Sequence, residues 1–144
     1  MNRILALIIA LYSAVAIAES SFERAENARA DKNWTLAASE YEKAVGEGNP
    51  VAAHWLATFF YGGVGVKQSY VHAAAYFYLA ANEGIQGSMV YLANMHATGQ
   101  GATKDCDKAE SWVVKFTEGP IPEGWKNILH ECRSTLNKKR QSDA

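Results

Sequence analysis

The sequence has no surplus of either charge. Its 14 lysines and arginines almost cancel 15 aspartates and glutamates, leaving a formal net charge of −1. That balance argues against the basic footprint of a nucleic-acid-binding protein. The one basic cluster, Lys138-Lys139-Arg140, lies in a polar C-terminal stretch and reads as a solvated chain end. Cysteine is scarce: only Cys106 and Cys132 are present, too far apart to suggest a zinc site. His54, His72, His96 and His130 are dispersed and show no ligand spacing around them. Nucleophile motifs are also missing. Ser39, Ser88 and Ser111 fall inside helical patterns, and none sits on a G-x-S-x-G elbow. The carboxylates Glu40, Glu42, Glu47, Asp105, Asp107 and Glu110 are expected mainly at helix caps and on solvated faces. The reading is therefore a non-enzymatic protein with no catalytic residue, metal or cofactor.

One apolar run exists, Ile4 to Ile17, interrupted only by Tyr12 and Ser13. It is shorter than the ~20 residues a spanning helix needs. A positive start, Met1-Asn2-Arg3, precedes it, and Ala16-Ile17-Ala18 follows as a small-x-small cleavage site. Residues 1–18 thus read as a secretory signal peptide, with no stable membrane insertion after cleavage. A periplasmic or secreted location follows. An oxidising compartment favours a Cys106–Cys132 disulfide. The remainder is long enough for one domain.

What the sequence does contain is a repeat. A shift of 36 positions aligns Gly48 with Gly84, Leu56 with Leu92 and Ala57 with Ala93, without a gap. The same shift pairs Gly63 with Gly99, Gly65 with Gly101 and Tyr76 with Trp112. Asn33, Ser69 and Asp105 share one column, followed four residues later by Ala37, Ala73 and Ala109. All three residues of the first column are good helix N-caps, since each carries an oxygen for an unpaired helical N–H. Each copy reads as two helices. Asn49-Pro50 opens the first, Gly62 and Gly63 close it, Ser69 opens the second, and Gly84 ends it. Alanines let neighbouring helices approach closely, and such a pair buries its apolar faces only by stacking on another.

The expected architecture is all-α: a right-handed αα-hairpin solenoid of about three helix pairs with a C-terminal capping helix. An N-terminal hairpin resembling a tetratricopeptide unit spans 19–48, opened by a Ser20–Glu23 capping box. Repeat one spans 49–84 and repeat two 85–119. A capping helix over 120–137 follows the Gly119–Pro122 break, with Trp125, Ile128, Leu129, Cys132 and Leu136 on one stripe. Residues 138–144 read as a disordered polar tail.

The pattern resembles the Sel-one-like repeat, the glycine-loop relative of the tetratricopeptide repeat. The residues that carry the resemblance are Leu56-Ala57, Leu92-Ala93, the loops Gly63-Val64-Gly65-Val66 and Gly99-Gln100-Gly101-Ala102, Ala73, Ala109, Trp112, and Ala80-Ala81 before Gly84. The chain departs from the family at Ala57 and Ala93, where glycine is usual, and at Ser69, where aspartate is usual. The resemblance implies an adaptor or regulator that holds a partner protein on a concave helical surface. It also leaves open a periplasmic immunity protein neutralising a secreted toxin and, more remotely, a cell-wall or β-lactam hydrolase. The hydrolase branch carries a cysteine pair in every repeat, and this chain does not.

Aromatics make up 11% of the chain, more than the packing columns use. Trp55 and Phe59 lie one turn apart, and Tyr91 and Met95 fill their columns in the next copy. The first of these columns is usually polar in the family. These four residues, with His54 and Asn94 beside them, form the candidate partner-binding strip. On the second helix, Tyr78 and Leu79 stand where the first hairpin has Glu42 and Lys43.

Overall fold

The computed structural model describes residues 19–142, so the expected signal peptide lies outside the described residues. Those residues form seven helices and no strand. They are α1 (Ser21–Ala30), α2 (Trp34–Gly46), α3 (Pro50–Gly62), α4 (Tyr70–Asn82), α5 (Gln86–Thr98), α6 (Cys106–Thr117) and α7 (Glu123–Ser142). Successive helices pack as hairpins, α1 with α2, α3 with α4, and α5 with α6, and each hairpin stacks on the next. The result is a helical-repeat solenoid.

Side-chain chemistry sets most helix starts. Ser20 and Glu23 form the reciprocal capping box. The side chains of Asn33, Asn49, Ser69 and Asp105 accept backbone N–H bonds at the starts of α2, α3, α4 and α6. Each satisfies donors that the first helical turn leaves unpaired. Helix α5 begins at Ile85 without a side-chain cap.

The alanine columns do what the repeat demands. Ala37, Ala73 and Ala109 are fully buried, as are Ala57, Ala93 and Leu92, and Leu56 is nearly so. Three apolar clusters run along the stack. The first centres on Tyr41, Leu56 and Phe59, the second on Phe77, Leu92 and Met95, and the third on Ala109, Leu129 and the two cysteines.

The glycine loops are the joints between hairpins. Gly65 and Gly101 have φ of 68° and 75°. A Cβ added at Gly65 would fall 2.3 Å from the Trp34 carbonyl oxygen, and one at Gly101 would fall 2.3 Å from that of Tyr70. Trp34 and Tyr70 occupy one repeat column. Each loop therefore lies directly on the first residue of the preceding second helix, and only glycine permits both that approach and that backbone conformation.

Cys106 and Cys132 are joined by a disulfide, with Cα atoms 5.9 Å apart. It ties the start of α6 to the middle of α7. Trp125 packs edge-on against Phe116 with ring centroids 5.9 Å apart, and Arg133 bonds Glu110 and Asp107 across the same contact. The capping helix is longer than the sequence suggested. Residues 138–142, read above as disordered tail, continue α7. No glycine or proline follows Gly124, and Lys139 and Arg140 in the last turn complement the helix dipole.

Glu40 also departs from expectation. Rather than lying on a solvated face, it is buried and pairs with Arg24 at 2.7 Å and with Lys43. The ammonium of Lys43 and the guanidinium of Arg24 hold its carboxyl below the usual range.

Candidate binding surface

The six residues of the candidate strip separate into two groups. Phe59 and Met95 are core residues, only 5% and 0% exposed. This corrects their placement on the surface. Four residues advance a helix by about 40° beyond one full turn, enough to carry these side chains from the rim into the interior. Phe59 packs edge-on against Tyr41 and Trp34. Met95 lies under the second glycine loop, its Cε 2.7 Å from where a Gly101 Cβ would stand. Trp55, His54 and Tyr91 are half-buried, and Asn94 is exposed.

These four belong to α3 and α5, the first helices of successive repeats. The His54 ring contacts the rings of Trp55, Phe77 and Tyr91, so it bridges the two helices. Its Nδ1 lies 2.8 Å from the Ser88 Oγ. Gly87 makes room for it, since a Cβ there would stand 3.0 Å from the His54 Cε1. Tyr91 stacks on Phe77 at 4.4 Å with planes 9° apart and meets the edge of Tyr61 at 5.2 Å. The Tyr61 hydroxyl donates to the Gln100 side chain at 3.0 Å. Aromatic side chains fixed from several sides lose little freedom when they contact something else.

Five participants escaped the sequence reading. The Arg29 guanidinium sits over the Trp55 ring, 4.8 Å from its centroid. Glu26 pairs with that arginine and accepts the Tyr41 hydroxyl bond, so α1 supplies a polar border to the tryptophan. Arg29 left no signal because the first hairpin lacks the long loop and falls out of the 36-residue register. Tyr61 was legible in principle: it lies two turns beyond His54, on the same face. Val51 and Val90, both 39% exposed, extend the apolar surface one turn before Trp55 and one turn before Asn94.

Ser88 and His54 form a serine–histidine contact, but Ser88 is fully buried, which keeps its hydroxyl from a substrate. The contact stitches α3 to α5. Burial pushes the His54 pKa down from its usual value. Its folded form therefore refuses a proton that the unfolded chain accepts once the pH falls below about 6.5. Above that pH both states are neutral and His54 contributes no slope. Melting temperatures at pH 7.5 and pH 5 should thus fall less for His54→Asn than for the native protein, because asparagine keeps a polar atom near Ser88 without titrating. An equal fall in both would rule out His54 as a source of acid sensitivity.

A composition boundary coincides with this surface. From Asn49 to Thr103 the only Asp, Glu, Lys or Arg residues are Lys67 and Glu83. The flanking hairpins and α7 carry all the rest of the described charge.

The Sel1 repeat model matches residues 50–85 and 87–115. The chain carries Sel1-like repeats over that stretch. Two solved structures share its fold. One is a Sel1 repeat protein from Oxalobacter formigenes, 32% identical with a TM-score of 0.57, the match covering 58% of this chain and 64% of that one. The other is a protective antigen of uropathogenic Escherichia coli displaying an SLR fold, 30% identical with a TM-score of 0.57, covering 58% of this chain and 18% of that one. The chain thus spans less than two thirds of either. No curated protein sequence matches it. Sel1 repeats serve in general as protein-interaction modules. Among the described residues, no helix is long and apolar enough to cross a membrane, and no cluster of His, Cys, Asp and Glu has metal-binding form.

Proposed function

We propose that the protein is an exported, non-enzymatic adaptor or regulator that holds a partner protein against the row of first helices α1, α3 and α5, centred on Trp55 and Tyr91. The observation that carries this reading is the coincidence of rigid, half-exposed aromatics with a stretch almost free of charge. Interface centres are depleted in charged residues and enriched in aromatics, and the rim is polar. Trp55, His54 and Tyr91 have that centre's composition, while Arg29, Glu26 and Asn94 have the rim's. Export is supported by the reading of residues 1–18 as a signal peptide and by the disulfide, a bond that persists in oxidising compartments.

Trp55 serves both roles at once. It packs on the first apolar cluster and presents its remaining surface under Arg29. Trp55→Ala should therefore cost about 2 kcal/mol of stability, less than the ~3–5 kcal/mol of a fully buried tryptophan. It should weaken partner binding at least tenfold. Thermal melting together with affinity for the isolated partner separates these effects. Unchanged affinity in a folded Trp55→Ala protein would reject this surface as the binding site.

A further inference from the structure

The opposite side of the molecule carries a second apolar surface, and the repeat itself shows that packing does not require it. The outward columns of the second helices can be compared row by row. The first row is Thr35, Val71 and Asp107; the second is Ser39, Ala75 and Ser111; the third is Lys43, Leu79 and Lys115. All nine residues are exposed. In α2 and α6 they are polar, as a solvated face should be. In α4 all three are apolar, and Val71 and Leu79 are 68% and 53% exposed. Beside Leu79 lies a shallow depression of about 160 Å³, walled by Val45, Pro50 and Ala53.

We propose that this face of α4 binds a second copy of the chain, with the two α4 helices antiparallel about a two-fold axis at Ala75. Three features select that occupant and that direction. The row at the axis, Ser39, Ala75 and Ser111, is made of small residues, which let two helical layers come close. The antiparallel register sets Val71 of each copy against Leu79 of the other, at the depression beside it. It also sets Asp107 of each α6, which meets Arg133 of its own chain through one oxygen yet stays exposed, against Lys115 of the other, so the flanking charges are complementary. A parallel arrangement would instead place α2 over α6 and bring Lys43 against Lys115. The net charge of −1 adds little repulsion between copies. A two-fold contact is self-complementary by construction, and this register meets that condition. The inner row of α1, α3 and α5 remains free, so the two surfaces stand or fall separately.

Sedimentation equilibrium of the purified protein tests the proposal. The expected result is a reversible monomer–dimer equilibrium, with dissociation in the micromolar range for so small a surface. Leu79→Lys restores the residue found at this column in both neighbouring helices, so the fold should persist, and dissociation should become at least tenfold easier. Asp107→Lys should weaken the dimer similarly, and adding Lys115→Asp should restore it. A native protein that stays monomeric at several hundred micromolar overturns the proposal. So does a folded Leu79→Lys variant that dimerises as before, or a charge exchange that fails to restore association.

Discussion

Gly101→Ala should destabilise the protein by about 3 kcal/mol, whereas Gly48→Ala should cost about 1 kcal/mol. Both glycines have positive φ, 75° and 84°. A side chain in that conformation costs ~1–2 kcal/mol at either site. The surroundings differ. Nothing lies within 4 Å of a Cβ added at Gly48, but one at Gly101 meets the Tyr70 carbonyl oxygen at 2.3 Å and its carbon at 2.5 Å. Backbone does not yield as a flexible side chain does, so the loop must lift off α4, adding ~1–3 kcal/mol. Met95 beneath it would lose its packing as well. Denaturant titration of the two variants measures the difference, and roughly 10 °C of melting temperature should accompany the larger loss. Equal losses would mean that the loop is not the joint between hairpins.

Removing the disulfide should have a comparable effect by a different route. Cys106 and Cys132 are 26 residues apart in sequence, and the chain-entropy model gives about 3.5 kcal/mol for a loop of that size. Helix α7 is unusually dependent on it. Leu129 and Cys132 are its only buried residues, and its other ties lie nearer the surface: half-buried Leu136 on the same cluster, the Phe116–Trp125 contact, the ion pairs of Arg133 and the Lys104–Thr135 hydrogen bond. Exposed pairs contribute ~0–1 kcal/mol. In the Cys106→Ala, Cys132→Ala double variant, amide exchange should accelerate most in α7 and the first half of α6, where the disulfide is anchored, with α1 to α4 little changed. A double variant as stable as the native protein would show that α7 is held by packing alone.

How much of this was legible in the sequence depends on the repeat. The 36-residue shift exposes the caps, the glycine joints and the alanine columns because each must recur wherever one hairpin stacks on another. The disulfide was legible for a related reason: Cys106 opens one helix and Cys132 sits within the next, and a tight turn brings them together. Features that occur once left weaker marks. Arg29 reaches Trp55 from a hairpin outside the register. Phe59 and Met95 were misplaced because one turn of spacing defines a face only to within tens of degrees, while the boundary between rim and core is narrower than that. Glu40 looked like a surface residue because its partner Arg24 lies on a different helix. The extension of α7 through residues 138–142 was hidden by composition, since a basic cluster favours both a solvated tail and a helix C-terminus.

The central claim is that a partner protein is held on the inner row of first helices. Site-specific photo-crosslinking in the host cell tests it most directly. A photoreactive residue at Asn94, exposed beside Tyr91, should form an adduct with one other protein, heavier than the chain by that partner's mass. The adduct should disappear when Trp55→Ala and Tyr91→Ala are added to a protein that still folds. The same probe at Ser134, on α7 and away from the row, should give none. An adduct at Asn94 that survives both substitutions, or a partner captured from Ser134 but not from Asn94, would contradict the account.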